Sequence, residues 1–221
     1  MKKIFLFIAV SIFCINLSNA QEETLIKLPE PFIDSKISLE KVLWERRSQR
    51  TYKAFPLDVS EISQLLWAGQ GITDYEKGRR TAPSARAKYP LDLYITIFYA
   101  DGIDKGIYQY IPEKHALKKV FENNKKDEIL KACNFQGSIA QSSVVIIIAG
   151  TYTRMNEKYT ETDIRFTYSE VGHASQNIFL QATALNLGTV VVGGFKEDLL
   201  NKALQFPTET RALYVMPIGK K

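Results

Sequence analysis

Residues 91–100 read Leu-Asp-Leu-Tyr-Ile-Thr-Ile-Phe-Tyr-Ala. Leu91, Leu93, Ile95, Ile97 and Tyr99 alternate with Asp92, Tyr94, Thr96 and Phe98, and β-branched and aromatic residues dominate, so the two-residue period predicts a strand. Residues 143–149, by contrast, form an apolar run after Ser143, the pattern of a strand buried on both faces. Between these two, residues 106–111 and 116–121 flank Pro112-Glu113-Lys114-His115 and predict a hairpin. Further strands are predicted over 189–192 and 211–218. Helices are predicted over 39–47, from the Asp58-x-x-Glu61 start to Gly69 or Gly71, and over 127–133, 137–142 and 197–204. The longest helical pattern, Thr167–Asn186, places Val171, Ala174, Ile178, Ala182 and Leu185 on one side. Strands and helices interleave without regular β-α-β alternation, which argues against a doubly wound nucleotide fold and for a mixed α+β domain around a central sheet.

The chain has 221 residues, 45% of them hydrophobic, with 29 Lys plus Arg against 24 Asp plus Glu. That composition excludes a disordered or collagen-like polymer. Residues 1–20 read as a secretion signal: Lys2-Lys3, an apolar run from Ile4 to Leu17, then Ser18-Asn19-Ala20 with small residues where a signal peptidase cuts. Cleavage near Ala20 would leave an exported chain, periplasmic or secreted, with an N-terminal extension at 21–38, a flexible start near Gln21–Pro31, and one domain over 39–221. Removing two lysines leaves 27 − 24 = +3, a balance that implies no nucleic-acid partner. No stretch of the mature chain approaches the ~18 apolar residues of a membrane span. Cys14 leaves with the signal, so Cys133 is alone and reads as a core residue.

Common enzyme signatures are missing. Gly69-Gln70-Gly71 lacks a third glycine at Asp74, and there is no phosphate-binding loop, nucleophile elbow or His-Glu-x-x-His motif. With only His115 and His173, no histidine-rich metal site is expected, and His173 reads as a packing residue three positions after Glu170. The sharpest feature is Arg46-Arg47-Ser48-Gln49-Arg50 at a helix end. Converging guanidiniums offer planar donor pairs for a phosphate, or else form a solvated basic face; the segment alone leaves both open. Thr81-Ala82-Pro83-Ser84-Ala85, followed by Tyr89-Pro90, makes a stiff loop of small residues suited to lying on a flat ring. Gly193-Gly194-Phe195 lets backbone approach a ligand, and Lys220 follows the last strand.

In this order, the segments resemble the nitroreductase-fold flavoproteins, and more narrowly their SagB/ThcOx-like dehydrogenase branch. The resemblance spans Leu43–Lys220 and is carried by Arg46–Arg50, Arg80–Ala85 with Tyr89-Pro90-Leu91, Glu170–Asn177, Leu187-Gly188-Thr189, Gly193-Gly194-Phe195, Leu213-Tyr214 and Pro217-Ile218-Gly219. It implies an α+β fold with a central mixed sheet flanked by helices, binding FMN at the interface of an intertwined homodimer. Carried onto this chain, Arg46, Arg47, Ser48 and Arg50 would hold the FMN phosphate and ribityl chain, with Lys220 helping. Pro83, Ser84 and Ala85 would come from the partner subunit, and Gly193 and Gly194 would approach the flavin N5 edge. Lys158-Tyr159 resembles the proton-transfer pair of the azoline-oxidising members, which implies a catalytic role; a polar surface loop over Thr153–Asp163 is the competing reading. Arg86 and Lys88 stand where relatives tend to have a small and an apolar residue.

Four functions follow: an FMN-dependent dehydrogenase acting on a small molecule, an NAD(P)H-dependent nitroreductase or quinone reductase, a non-catalytic flavin-binding protein, and a basic surface module without flavin. Soluble NAD(P)H is cytosolic, so an exported member would draw electrons from its substrate or from an electron-transfer partner.

Overall fold

The computed structural model describes residues 25–221, and the secretion signal expected at 1–20 lies outside them. The elements are β1 (Leu25–Lys27), α1 (Leu39–Glu45), α2 (Val59–Gln70), β2 (Ile72–Asp74), β3 (Arg79–Arg80), β4 (Leu91–Ile97), β5 (Gly106–Ile111), β6 (Ala116–Phe121), α3 (Lys126–Ala132), α4 (Gly137–Gln141), β7 (Val144–Thr151), α5 (Glu161–Ala184), β8 (Leu187–Thr189), α6 (Glu197–Leu204) and β9 (Thr210–Lys220). Seven strands form one sheet in the order β1-β6-β5-β4-β7-β9-β8, while β2 and β3 make a separate pair.

The α+β architecture is as the sequence predicts, with one difference in the sheet. Each pairing in the seven-stranded sheet is antiparallel, so it is not mixed. The crossover through α5 does leave β7 and β8 parallel to each other, but β9 inserts between them and pairs antiparallel with both.

The buried run of β7 explains the layers. Val144, Ile146 and Ile148 join a core cluster with Leu65, Leu66, Val171 and Ile178 from α2 and α5. Val145 and Ile147 point the other way, into a cluster with Ile129, Ile139 and Leu200 from α3, α4 and α6. Alternate side chains of a strand face opposite sides, so an unbroken apolar run needs helices on both.

Three local differences have plain causes. First, α5 starts at Glu161, six residues before the predicted start, because Thr160 and Asp163 form a capping box. It ends before Asn186, whose φ of 57° lies in the left-handed region that asparagine tolerates. The following strand therefore occupies Leu187–Thr189, ahead of the predicted 189–192. Second, the expected flexible start contributes β1, paired with β6, and Leu28 is buried. Buried His115 holds that segment: its Nε2 lies 2.9 Å from the Pro29 carbonyl and 2.7 Å from Ser63 Oγ, and Nδ1 lies 2.8 Å from the Tyr110 hydroxyl. Third, His173 is exposed on α5 and is not the packing residue predicted.

Candidate functional site

The arginine segment follows α1 and is tied to the β8–β9 edge. Gln49 N–H donates to the Thr189 carbonyl at 2.8 Å, and Lys53 N–H to the Lys220 carbonyl at 2.9 Å. The Tyr52 hydroxyl donates to Gln49 O at 2.7 Å and reaches Pro217 O at 3.2 Å. Two glycines permit the contact: a Cβ on Gly219 would sit 2.6 Å from Tyr52 Cβ, and one on Gly188 would sit 2.9 Å from Gln49 Cγ. Their role is to let residues 49–53 lie flat against the sheet.

The three guanidiniums are not equivalent. Arg47 turns back onto the end of α1, donating to Trp44 O at 2.9 Å and Arg46 O at 2.8 Å, which satisfies carbonyls the helix leaves unpaired. Arg46 stacks over the Phe179 ring of α5 at 5.0 Å. Arg46 and Arg50 meet no carboxylate among the described residues, and Ser48 and Arg50 are exposed. Lys220 joins the cluster through its carbonyl, but its ammonium pairs with Glu61 of α2.

The small-residue loop runs along α5. Asn177 Nδ2 donates to Thr81 O at 3.2 Å, Ser84 Oγ and Ala85 N–H donate to Glu170 Oε1 at 3.0 and 2.8 Å, and Arg86 pairs with Asp163. Glu170 is buried, and burial pushes its carboxyl up from the ordinary value against the opposing pull of the Ala85 and Ser84 hydrogen bonds. Asp163 is held low, chiefly by the Thr160 backbone N–H, with the Thr160 hydroxyl and Arg86 adding to it. Pro83 is exposed beside this clamp.

Gly193 and Gly194 are exposed, and a Cβ on Gly194 would meet nothing within 4 Å. Gly193 lies near the Tyr214 ring. Lys158 and Tyr159 occupy an exposed turn just before α5, where the Tyr159 ring lies 5.3 Å from that of Tyr152. α5 then acts as a ruler. Arg46 contacts Phe179, while Lys158-Tyr159 precede Glu161; 179 − 161 = 18 residues at ~1.5 Å rise separates them by roughly 27 Å.

One protomer therefore brings together Arg46–Arg50, Gly188, Gly219 and the Lys220 backbone, and holds Pro83–Ala85 on the middle of α5. It does not bring Lys158-Tyr159 near the arginines. The sequence reading missed Glu170 as the loop clamp, Glu61 as the Lys220 partner, Tyr52 as the latch and Asp163 as the α5 cap. Only the last carried a local signal, the Thr160-x-x-Asp163 spacing.

A family model described as the nitroreductase family matches residues 43–220. The chain belongs to the nitroreductase family. A candidate nitroreductase of Methanocaldococcus jannaschii is 39% identical over 196 residues, covering 89% of this chain and 96% of that protein. A solved candidate nitroreductase from Ralstonia eutropha JMP134 is 26% identical with a TM-score of 0.79, covering 89% of each chain. At 18% identity, a chain of the E. coli microcin synthetase McbBCD complex with truncated pro-MccB17 bound shares the fold with a TM-score of 0.69, covering 98% of this chain and 84% of that one. Nitroreductase family members generally use flavin cofactors, are commonly dimeric and act on small molecules, which makes oxidoreductase the activity class here. Among the described residues no helix is long and apolar enough to cross a membrane.

Proposed function

We propose that the chain is an exported FMN-dependent oxidoreductase of the SagB-type dehydrogenase kind, acting as an intertwined homodimer. The observation that carries the reading is the pair Arg46 and Arg50. Both lack a carboxylate partner among the described residues, yet their segment is latched to β8 and β9 through Tyr52 and two glycines. A cationic segment built this tightly suits a bound phosphate better than a solvated face does, because ordering it costs backbone freedom that a ligand offsets. FMN would supply a ring able to take a hydride from the substrate. Arg46, Ser48 and Arg50 would hold its phosphate, with Arg47 adding charge around it and Lys220 helping if it exchanges Glu61 for the phosphate. Pro83, Ser84 and Ala85 offer a rigid face to a ring, and Gly193-Gly194 leaves room for one.

Lys158 and Tyr159 would move the substrate proton, and they would do so across the dimer. The roughly 27 Å between them and Arg46 along α5 is a span no FMN covers within one protomer. Exposed apolar residues support pairing of two copies: Leu39, Leu43 and Trp44 on α1 and Tyr168 on α5. Export rests on Lys2-Lys3, the apolar run and Ser18-Asn19-Ala20, and predicts a mature protein beginning at Gln21. An exported enzyme would pass electrons between its substrate and an electron-transfer partner.

The second reading is an NAD(P)H-dependent nitroreductase, favoured by the description of the Methanocaldococcus jannaschii relative. The absorbance spectrum of the purified protein tests the flavin, and Arg50→Ala tests its site. Loss of one hydrogen bond to a charged group, about 1.5–3 kcal/mol, weakens FMN binding ten- to a hundredfold. If Arg46→Ala and Arg50→Ala both bind FMN like the parent, the phosphate assignment fails. Anaerobic reduction that is rapid with NADPH and absent with dehydrogenatable substrates selects the nitroreductase reading.

A further inference from the structure

The central sheet forks beside the Ala85–Tyr89 turn. Pairing between β4 and β5 stops at Tyr94 with Gln109, whereas β4 continues along β7 to Leu91 and β5 continues along β6 to Ile111. Residues 91–93 thus have no strand partner on the β5 side. The fork opens a crevice of about 400 Å³, within the size range of small-molecule sites. Arg80, Lys88, Tyr89, Asp92, Gln109 and Arg154 line it, and the half-buried Ile111 and Pro112 add a small apolar wall.

These charges are placed, not scattered. Arg80 is nearly buried, with an exposed fraction of 11%; it donates to Gln70 and Glu113 at 3.0 Å each and lies over the Tyr89 ring at 4.7 Å. Arg154 donates to Asp92 at 2.6 Å. Lys88 is exposed. Three cations face the carboxylates of Asp92 and Glu113, so the crevice carries one net positive charge. Arg86, Ala87 and Tyr89 hold φ values of 56°, 52° and 47°, and Tyr89 N–H is pinned to Ser84 Oγ at 2.7 Å. Backbone held in that region by non-glycine residues costs free energy and concentrates at ligand sites.

We propose that the fork binds the carboxylate end of a small organic acid, with its apolar body against Ile111 and Pro112, and that this acid is the substrate. The substrate role rests on the proposed flavin reading, to which the fork is joined by the Tyr89–Ser84 bond. A monoanion fits the net charge, whereas the Asp92 carboxylate opposes a dianion.

Calorimetric titration of the mature protein, with saturating FMN present to occupy the arginine cluster, with 3-phenylpropionate, its neutral amide and phenyl phosphate tests the site. The carboxylate binds, the amide binds at least about tenfold more weakly, the usual effect of losing a charge-assisted hydrogen bond, and phenyl phosphate binds no better than the carboxylate. Lys88→Gln weakens carboxylate binding by about tenfold while melting temperature and FMN affinity hold. Equal binding of acid and amide, or parental affinity in Lys88→Gln, overturns the site. In FMN-loaded protein the carboxylate shifts the flavin absorption band; binding without a shift overturns the substrate role. FMN titration of the same preparation separates the two failures. Carboxylate binding absent with FMN bound sinks the fork, and FMN binding absent with carboxylate bound sinks the flavin reading and the substrate role with it.

Discussion

If Lys158 and Tyr159 serve the flavin held by the partner subunit, two differently disabled proteins should repair each other. One carries Arg46→Ala with Arg50→Ala and the other Lys158→Ala with Tyr159→Phe. Roughly 27 Å along α5 separates Phe179, under Arg46, from the turn before Glu161. In a two-fold dimer, a mixed pair then has one site with both defects and one site with neither. Random exchange makes half the dimers mixed and half their sites intact, so a reduction phase at the parental rate should return with about a quarter of the parental amplitude. Each variant alone should be slow: the first for want of FMN, the second by the ~10²–10⁴-fold typical of lost acid–base catalysis. Stopped-flow reduction without oxygen gives the rate. A second readout uses flavin fluorescence, which a nearby tyrosine quenches. Tyr159→Phe should brighten the flavin only when placed on the protomer that lacks the arginines. Mixtures no faster than their components, with quenching that follows Tyr159 on the FMN-binding protomer, would refute the cross-subunit arrangement.

Three further outcomes follow from local geometry. Gly219→Ala places a Cβ 2.6 Å from Tyr52 Cβ, where neither atom can give way, and should destabilise by about 1–3 kcal/mol and weaken FMN binding, whereas Gly188→Ala comes closest to the flexible Gln49 side chain, at 2.9 Å, and to the Tyr52 ring only at 3.1 Å, and should be milder; equal melting temperatures for the two would contradict the latch. Burial raises the Glu170 carboxyl above its ordinary value of 4.5, so its contribution is fully present below that pH and is lost as pH rises through the raised value; Glu170→Gln should gain on the parent as pH rises from 4.5 in denaturant titrations, and a loss over that rise would reverse the sign. The Cys133 thiol is pushed up to about 12 by burial, so an alkylating reagent at pH 8 should label it only after unfolding; rapid labelling of the native protein would contradict a core position.

Much of the architecture was legible locally. The alternation over 91–97, the hairpin around Pro112–Lys114 and the apolar run of β7 each carry their own period, and burial on one or two faces is written into such periods. The Arg46–Arg50 cluster was visible because it is contiguous. So was the capping box that starts α2. The Thr160-Asp163 box that starts α5 is equally local, but it lies in a polar stretch whose composition is that of a surface loop.

What the sequence by itself determined, then, is what neighbouring residues decide among themselves: strand or helix, cap, and clustered charge. Tertiary structure alone decided how those pieces meet. Strand order put β9 between β7 and β8 and made the sheet antiparallel. It set Glu170 against Ser84 and Ala85 across 85 or more residues, gave Lys220 to Glu61, and opened the fork beside Tyr89. It also set Lys158-Tyr159 at the far end of α5 from Arg46. The physical reason is the same in each case: a hydrogen bond or ion pair between distant segments leaves no periodic trace, because each partner's side chain is compatible with many surroundings until the fold selects one.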